Sequence, residues 1–356
     1  MGNYPTHMFT PYFVITPKIT RDLEAIGAIF GYFKAIELPE SYRKELVSKV
    51  TAETVHASTA IEGNTLTEKQ VEDVLEGKKI HAADQDIKEI INYNKVLEYI
   101  EKFTKEKEVP AITEKFIKEI NTIVLKDIRD DVAGKYRFGQ VRVGDYLPPE
   151  HFKVPSLMQE FIQWMRNPQP QNLSPILYTG IAHYELVAIH PFGDGNGRTT
   201  RILTTFMLSK NGYDTTSFFA LESFYNRNRK AYYEVLNSAD SYRVDGKPDL
   251  TKWLEYYVEG MLVEAGRAKS RIEELQQKSK ILRKKIWLSN LQVKMLKLTF
   301  EKETVKTADY LEISGLSRKG TYNAIERLVH LGLLKRSGEK KGAYYTITEK
   351  GLGYVS

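Results

Sequence analysis

The chain has 356 residues, 42% apolar and 28% charged, ordinary proportions for a globular protein and too many residues for one small core. It contains no cysteine, which excludes disulfides, thiolate nucleophiles and zinc–thiolate centres. It also has no apolar run of about 18 residues, which excludes a membrane-spanning helix and leaves no membrane partner expected. The formal net charge is +6, and residues 286–356 hold 12 Lys/Arg against 7 Asp/Glu, so most of the excess sits in the tail.

The opening stretch, MGNYPTHMFT, lacks the basic and apolar regions of a secretory signal, and with no cysteine present a cytoplasmic protein is expected. Met1, Gly2 and Thr6 fit the loose myristoylation pattern, but the pattern is short and encloses Pro5, so an ordinary start is the better reading. From residue 18 the apolar positions Leu23, Ile26, Ile29, Phe30 and Phe33 recur at helical spacing until Pro39. A second helix is predicted from Glu40 to Glu62, stopped by Gly63. Thr67 and Gln70 read as a capping box for a short helix ending at Gly77. Further helices are predicted over 84–103 and from the cap Thr113 to Leu125.

Residues 134–155 change texture. Tyr136, Phe138, Val141 and Val143 alternate with polar residues among glycines, which predicts a β-hairpin. Helices resume over 156–167, 174–189, 197–211, 226–239 and 249–280, the last ending in a charged connecting stretch. Beyond 286, three helices (291–300, 304–313, 317–331) and a hairpin follow in the order of a winged helix-turn-helix. The fold class expected is therefore mainly α. Four regions are expected: 1–109, 110–245, the connecting helices 246–285, and 286–356.

The chemistry concentrates in HPFGDGNGRTTR, residues 190–201. Gly193 and Gly195, with Asn196 and Gly197, tolerate left-handed backbone, so consecutive N–H groups can face one concavity at a helix start. That makes a seat for an anion, phosphate above all. Arg198 and Arg201 lie three apart at the same helix start, where two cations are unfavourable unless an anion answers them. A di- or triphosphate satisfies both, since each guanidinium can grip two oxygens. Asp194 beside a polyphosphate calls for a cation, and Mg²⁺ is bound in this way by one carboxylate plus phosphate oxygens. His190, at the end of the preceding apolar helix, is placed to take a proton from an attacking hydroxyl.

These residues resemble the signature of the Fic family, H-P-F-x-D/E-G-N-G-R-x-x-R, without departure, and the flanking stretches SPILYTGIAHYELVAIH and LESFYNRNRKAYYEVL look like the same core. The resemblance covers roughly residues 110–245, with 18–105 similar to the helical N-terminal region such proteins carry. It implies an all-helical bundle with a β-hairpin flap, and transfer of AMP from ATP to a Tyr, Thr or Ser hydroxyl of a protein. Carried over, His190 is the base, Asp194 the Mg²⁺ ligand, Gly195, Asn196 and Gly197 the phosphate nest, Arg198 a phosphate ligand, and Arg201 the γ-phosphate ligand. Gln140, Val141, Arg142 and Val143 fall in the flap that pairs with a target segment. Asn228 and Tyr232 or Tyr233 fall where adenine contacts are expected.

A second stretch, STAIEGN at 58–64, resembles the family's inhibitory helix, with Ser58, Glu62 and Gly63 as its marked positions. The resemblance makes Glu62 the partner of Arg201. A carboxylate there takes the guanidinium from the γ-phosphate and places negative charge where that phosphate belongs, so a self-restrained enzyme is expected. In the tail, Arg318, Lys319, Arg327, Lys335, Arg336, Lys340 and Lys341 suit contact with DNA phosphates, or else a docking surface for protein. Alternative functions are a DNA-binding regulator that senses ATP at this site, removal of AMP with Glu62 orienting water, and transfer of UMP or phosphocholine. A homodimer is expected.

Overall fold

The computed structural model describes residues 9–36, 38, 40–105, 111–166, 173–239, 249–285, 288–338 and 342–355. Met1, Gly2, Thr6, Pro39, Lys340 and Lys341 lie outside them. The chain divides into two compact units, Met1–Lys34 with Leu46–Ala268, and Ala35–Glu45 with Lys269–Ser356.

The first unit is helical. Helix α1 (Pro17–Ala35) buries Ile19, Ile26, Phe30 and Phe33, one stripe at the expected spacing. Helix α2 (Glu40–Ile61) ends in a tight reversal in which Gly63 takes φ 102° and the Asn64 amide donates to the Thr59 carbonyl at 3.1 Å. Helix α3 (Glu68–Leu75) opens with the predicted capping box, Thr67 and Gln70 bonding each other's backbone. Helices α4 (Asp84–Lys105) and α5 (Glu114–Leu125) follow, the latter capped by Thr113. Helix α6 is Val154–Arg166.

The centre of the unit is a pair of consecutive helices, α7 (Pro175–Ile189) and α8 (Asn196–Lys210), buried on nearly every face. A helix without a polar face is stable only inside a protein, and α7 is enclosed accordingly. Helix α11 (Thr251–Lys285) crosses it at Gly180, where an added Cβ would lie 2.8 Å from Tyr257, and the Trp253 indole donates to the Gly180 carbonyl at 2.8 Å. The loop 190–195 joins α7 to α8, so the signature is held between two helices that cannot shift without opening the core.

Two expectations are corrected. Residues 134–155 form no β-ladder: Tyr136 bridges Phe192 and Val143 bridges Tyr146, each in isolation, and Phe138 is 94% exposed. The alternation is present, but no opposing apolar face receives it. The helix predicted over 226–239 is two, α9 (Leu221–Arg227) and α10 (Arg229–Asn237), because Asn228 leaves helical geometry (φ −142°, ψ 72°) to cap α10.

The second unit contains α12 (Asn290–Lys302), strand β1 (Val305–Lys306), α13 (Thr307–Ser314), α14 (Arg318–His330), strands β2 (Leu334–Ser337) and β3 (Tyr344–Ile347), and α15 (Glu349–Leu352). The strands form an antiparallel sheet in the order β1-β3-β2 over a core that includes Leu296, Tyr310, Ile325, Leu328 and Tyr345. Strand β1 and helix α15 were not anticipated. Arg318, Lys319, Arg327, Lys335 and Arg336 are exposed, and Arg336 bonds the Tyr322 hydroxyl at 3.4 Å.

Candidate functional site

The site is the loop between α7 and α8. His190 terminates α7 in a left-handed conformation (φ 50°, ψ 59°), which turns the chain sharply into the glycine-rich stretch. Its Nδ1 lies 3.3 Å from the Val187 carbonyl. A carbonyl only accepts, so Nδ1 carries the proton and Nε2 keeps its lone pair. Burial pushes the imidazole down to about 4, against the opposing pull of the Val187 carbonyl and the Glu62 charge. The ring is therefore neutral at pH 7, with a nitrogen free to accept a proton.

Phe192, 1% exposed, fixes the turn in the core. Asn196 closes it, donating from Nδ2 to the Phe192 carbonyl and accepting from the Phe192 amide, both at 2.9 Å. Its side chain is thus spent on the loop, and only its main chain remains for an anion. Gly195 has φ 73° and begins α8 without a side-chain cap. Two carboxylates face the helix start: Asp194 Oδ1 accepts from the Gly195 amide, and Glu62 lies over the first turn. A Cβ on Gly197 would collide with Glu62 Oε1, so the carboxylate lies directly against the first turn of α8. Gly193 is exposed at the rim.

Both arginines are engaged from the N-terminal region. Arg201, 1% exposed, donates to Ser58 Oγ at 2.7 Å, to the Ser58 carbonyl at 3.0 Å and to Glu62 Oε1 at 2.7 Å. Ser58 and Glu62 are one turn apart and face the same way, which explains the four-residue spacing. Burial alone would push the Glu62 carboxyl up, but Arg201 and Arg198 outweigh it and hold the group below its ordinary value. Arg198, 4% exposed, lies 3.3 Å from Glu89 Oε1 and 3.3 Å from Asp194 Oδ1. Glu89 is tied back to the 58–64 segment, since Asn64 Nδ2 donates to its Oε2 at 3.0 Å. Asp194 keeps a 37% exposed side chain, with Arg198 and the Gly195 amide on Oδ1 and Arg129 4.0 Å from Oδ2.

The sequence-predicted adenine contacts divide. Asn228 Oδ1 accepts from the Ala231 amide at 3.0 Å as a helix cap. Tyr232 is 1% exposed, stacked on Tyr225 with ring centroids 4.5 Å apart, its hydroxyl 3.0 Å from His183 Nε2. Tyr233 is 37% exposed and is the ring of the pair that reaches the surface. In the 136–149 segment, Val143 and Tyr146 exchange backbone bonds of 3.0 and 2.9 Å, Arg142 Nε bonds the Gly144 carbonyl at 3.1 Å, and Gln140 Nε2 bonds the Pro148 carbonyl at 2.7 Å. Val141 is half-buried.

Sequence reasoning missed Asn121, Arg137 and Glu89. Asn121 is fully buried on α5 and joins three segments: it donates to the Asp194 carbonyl at 3.0 Å and Thr199 Oγ1 at 3.2 Å, and accepts from the Gly134 amide at 2.9 Å. A polar residue in the apolar stripe of Ile117, Ile120 and Val124 was the available signal. Arg137 donates from Nε to the His190 carbonyl at 2.8 Å.

Residues 111–208 match the Fic/DOC family. The chain is 38% identical over 165 residues to a protein adenylyltransferase Fic of Drosophila mojavensis, an alignment covering 45% of this chain and 32% of that protein. It thus spans about a third of the length of that relative. The crystal structure of a Fic family protein from Desulfovibrio desulfuricans G20 is similar at TM-score 0.69 and 25% identity, covering 96% of this chain and 99% of that one. A Fic domain containing signaling protein from Bacteroides thetaiotaomicron VPI-5482 matches at TM-score 0.58 and 26% identity, over 69% of this chain and 96% of that one. With an unbroken signature between two buried helices, and a Fic family structure similar along nearly the whole chain, residues 111–208 carry a region that matches the Fic/DOC family.

Proposed function

We propose that the protein transfers AMP from ATP to a hydroxyl of a protein, and that Glu62 restrains it. The observation that carries this reading is the Glu62 carboxylate lying on the first turn of α8 while it holds Arg201. A negative group already occupies the seat that suits a phosphate, and the guanidinium suited to the last phosphate is taken. With Glu62 withdrawn, Arg201 loses its carboxylate partner and the first turn of α8 is cleared, so its amides, with Arg198 and Arg201, can align a triphosphate. His190 Nε2 then takes the proton of the target hydroxyl, its oxygen bonds the α-phosphorus, and pyrophosphate leaves. Intact-mass measurement of Glu62→Gly protein with ATP and Mg²⁺ tests the reading: an added AMP supports it, and an unmodified mass with no AMP transferred to any added protein contradicts it.

The donor set suits a metal carried in with the nucleotide. Asp194 offers a part-exposed carboxylate beside the seat, and among the described residues no group of three His, Cys, Asp or Glu could hold a metal. This matches Mg²⁺, which is held by one carboxylate plus phosphate oxygens and neutralises phosphate charge. The low His190 value sets a pH signature. A base must be neutral, and this one is neutral above about 4. The acid limb of kcat/KM is therefore expected well below the ordinary histidine value, near pH 4, and a limb at about 6–7 contradicts the depression by burial.

For the second unit, the order α12, α13, α14 and then β2 and β3 favours a winged-helix domain whose exposed Arg318, Lys319, Lys335 and Arg336 meet nucleic-acid phosphates. Duplex binding is expected to weaken steeply with salt, and flat or absent binding contradicts it.

A further inference from the structure

The segment between Gly139 and Pro149 has no strand ladder to hold its two ends together. Arg137 does so instead. The residue is 5% exposed, and its guanidinium spends its donors on main-chain carbonyls alone: Nε on His190 at 2.8 Å, Nη1 on Gly139 at 3.1 Å, and Nη2 on Pro149. Its own amide donates to the Pro191 carbonyl at 2.9 Å. No carboxylate pairs with it among the described residues, and burial draws its pKa below the usual arginine value. A buried cation without a counter-ion is costly, and planar donors fanned toward three separate stretches of chain do what a lysine's single ammonium does poorly. Gln140 bridges to Pro148 from the exposed side, and the Tyr146 hydroxyl pins the loop to the Ala188 carbonyl at 2.8 Å, two residues before His190.

We propose that Arg137 is a positioning residue for the transfer reaction: its guanidinium ties both ends of the 139–149 loop to the main chain of His190. The loop that receives the target segment and the imidazole that deprotonates it are thereby held as one piece. The inference rests on the AMP-transfer reading. It assigns Arg137 no contact with nucleotide, since the phosphate seat lies on the other side of His190 in the chain, at residues 194–201.

The test uses Glu62→Gly protein as parent, with α-phosphate-labelled ATP and Mg²⁺ and the protein itself as acceptor. Adding Arg137→Gln is expected to lower labelling about tenfold or more, because small misplacements of reacting groups cost rate steeply, while affinity for a non-hydrolysable ATP analogue stays within about twofold. Arg137→Lys should fall between parent and Arg137→Gln, since it keeps the charge and loses the fork. Labelling retained by Arg137→Gln overturns the inference. So does a parallel loss of labelling and nucleotide affinity, which is what a merely structural role produces. If Arg137→Gln does not melt cooperatively, Gln140→Ala carries the same test. A selective fall in its labelling supports the inference, and unchanged labelling overturns it. A parent that transfers no AMP at all removes the AMP-transfer reading and this inference with it, an outcome distinct from a parent that labels and a variant that labels equally.

Discussion

Glu62→Gly protein is expected to label itself or an added protein with AMP on the order of tenfold to a hundredfold faster than the unaltered chain, the range of a coupling between two sites. The substitution removes one carboxylate with two roles. It removes the bond that Arg201 Nη2 makes to Glu62 at 2.7 Å, and it clears Oε1 from the first turn of α8. Ser58 still grips Arg201 through Nε and Nη2, so the guanidinium stays in place rather than collapsing. A second signature accompanies the first. Without Glu62, Arg201 is a buried cation lacking its carboxylate, and the loss of one partner of a buried pair costs about 3–5 kcal/mol before relaxation. ATP supplies the missing negative charge. The rise in melting temperature on adding ATP should therefore be larger in Glu62→Gly than in the unaltered protein. Equal rates and equal shifts in both proteins contradict the restraint.

His190→Ala in that same parent is expected to reduce labelling about 10²–10⁴-fold, the contribution of a general base. ATP affinity should change little, because the proposed phosphate seat consists of main-chain amides and arginines beyond residue 193. The split matters. The imidazole is held by Val187 on one nitrogen, whereas Arg137 grips the His190 main-chain carbonyl, so removing the ring leaves that main-chain bond in place. Loss of nucleotide binding together with labelling would assign His190 a structural role. A reaction rate near that of the parent would remove it from the chemistry.

The signature loop was legible because each residue there is chosen for a property visible in its type: glycines for left-handed backbone, arginines for fixed charge, histidine for a proton near neutrality. Glu62 was legible only through the resemblance of the 58–64 stretch to the family's inhibitory helix, since its partner Arg201 lies 139 positions away. Arg137, Asn121 and Glu89 act at a distance, on carbonyls or side chains 53, 73 and 109 positions away, and a lone polar residue announces no such partner. The flap failed as a hairpin for a related reason. Alternation signals a strand only when a partner strand and an apolar face receive it, and here side-chain bonds to the loop ends replace the ladder. Tyr232 and Tyr233 are adjacent and chemically identical. Only packing against Tyr225 and His183 tells which one turns inward.

Gly197 faces the Glu62 carboxylate at a separation that no side chain can enter. On the proposed reading, the restraint and the phosphate seat share this single bare Cα, so a larger residue at position 197 displaces the carboxylate and crowds the nucleotide in the same stroke.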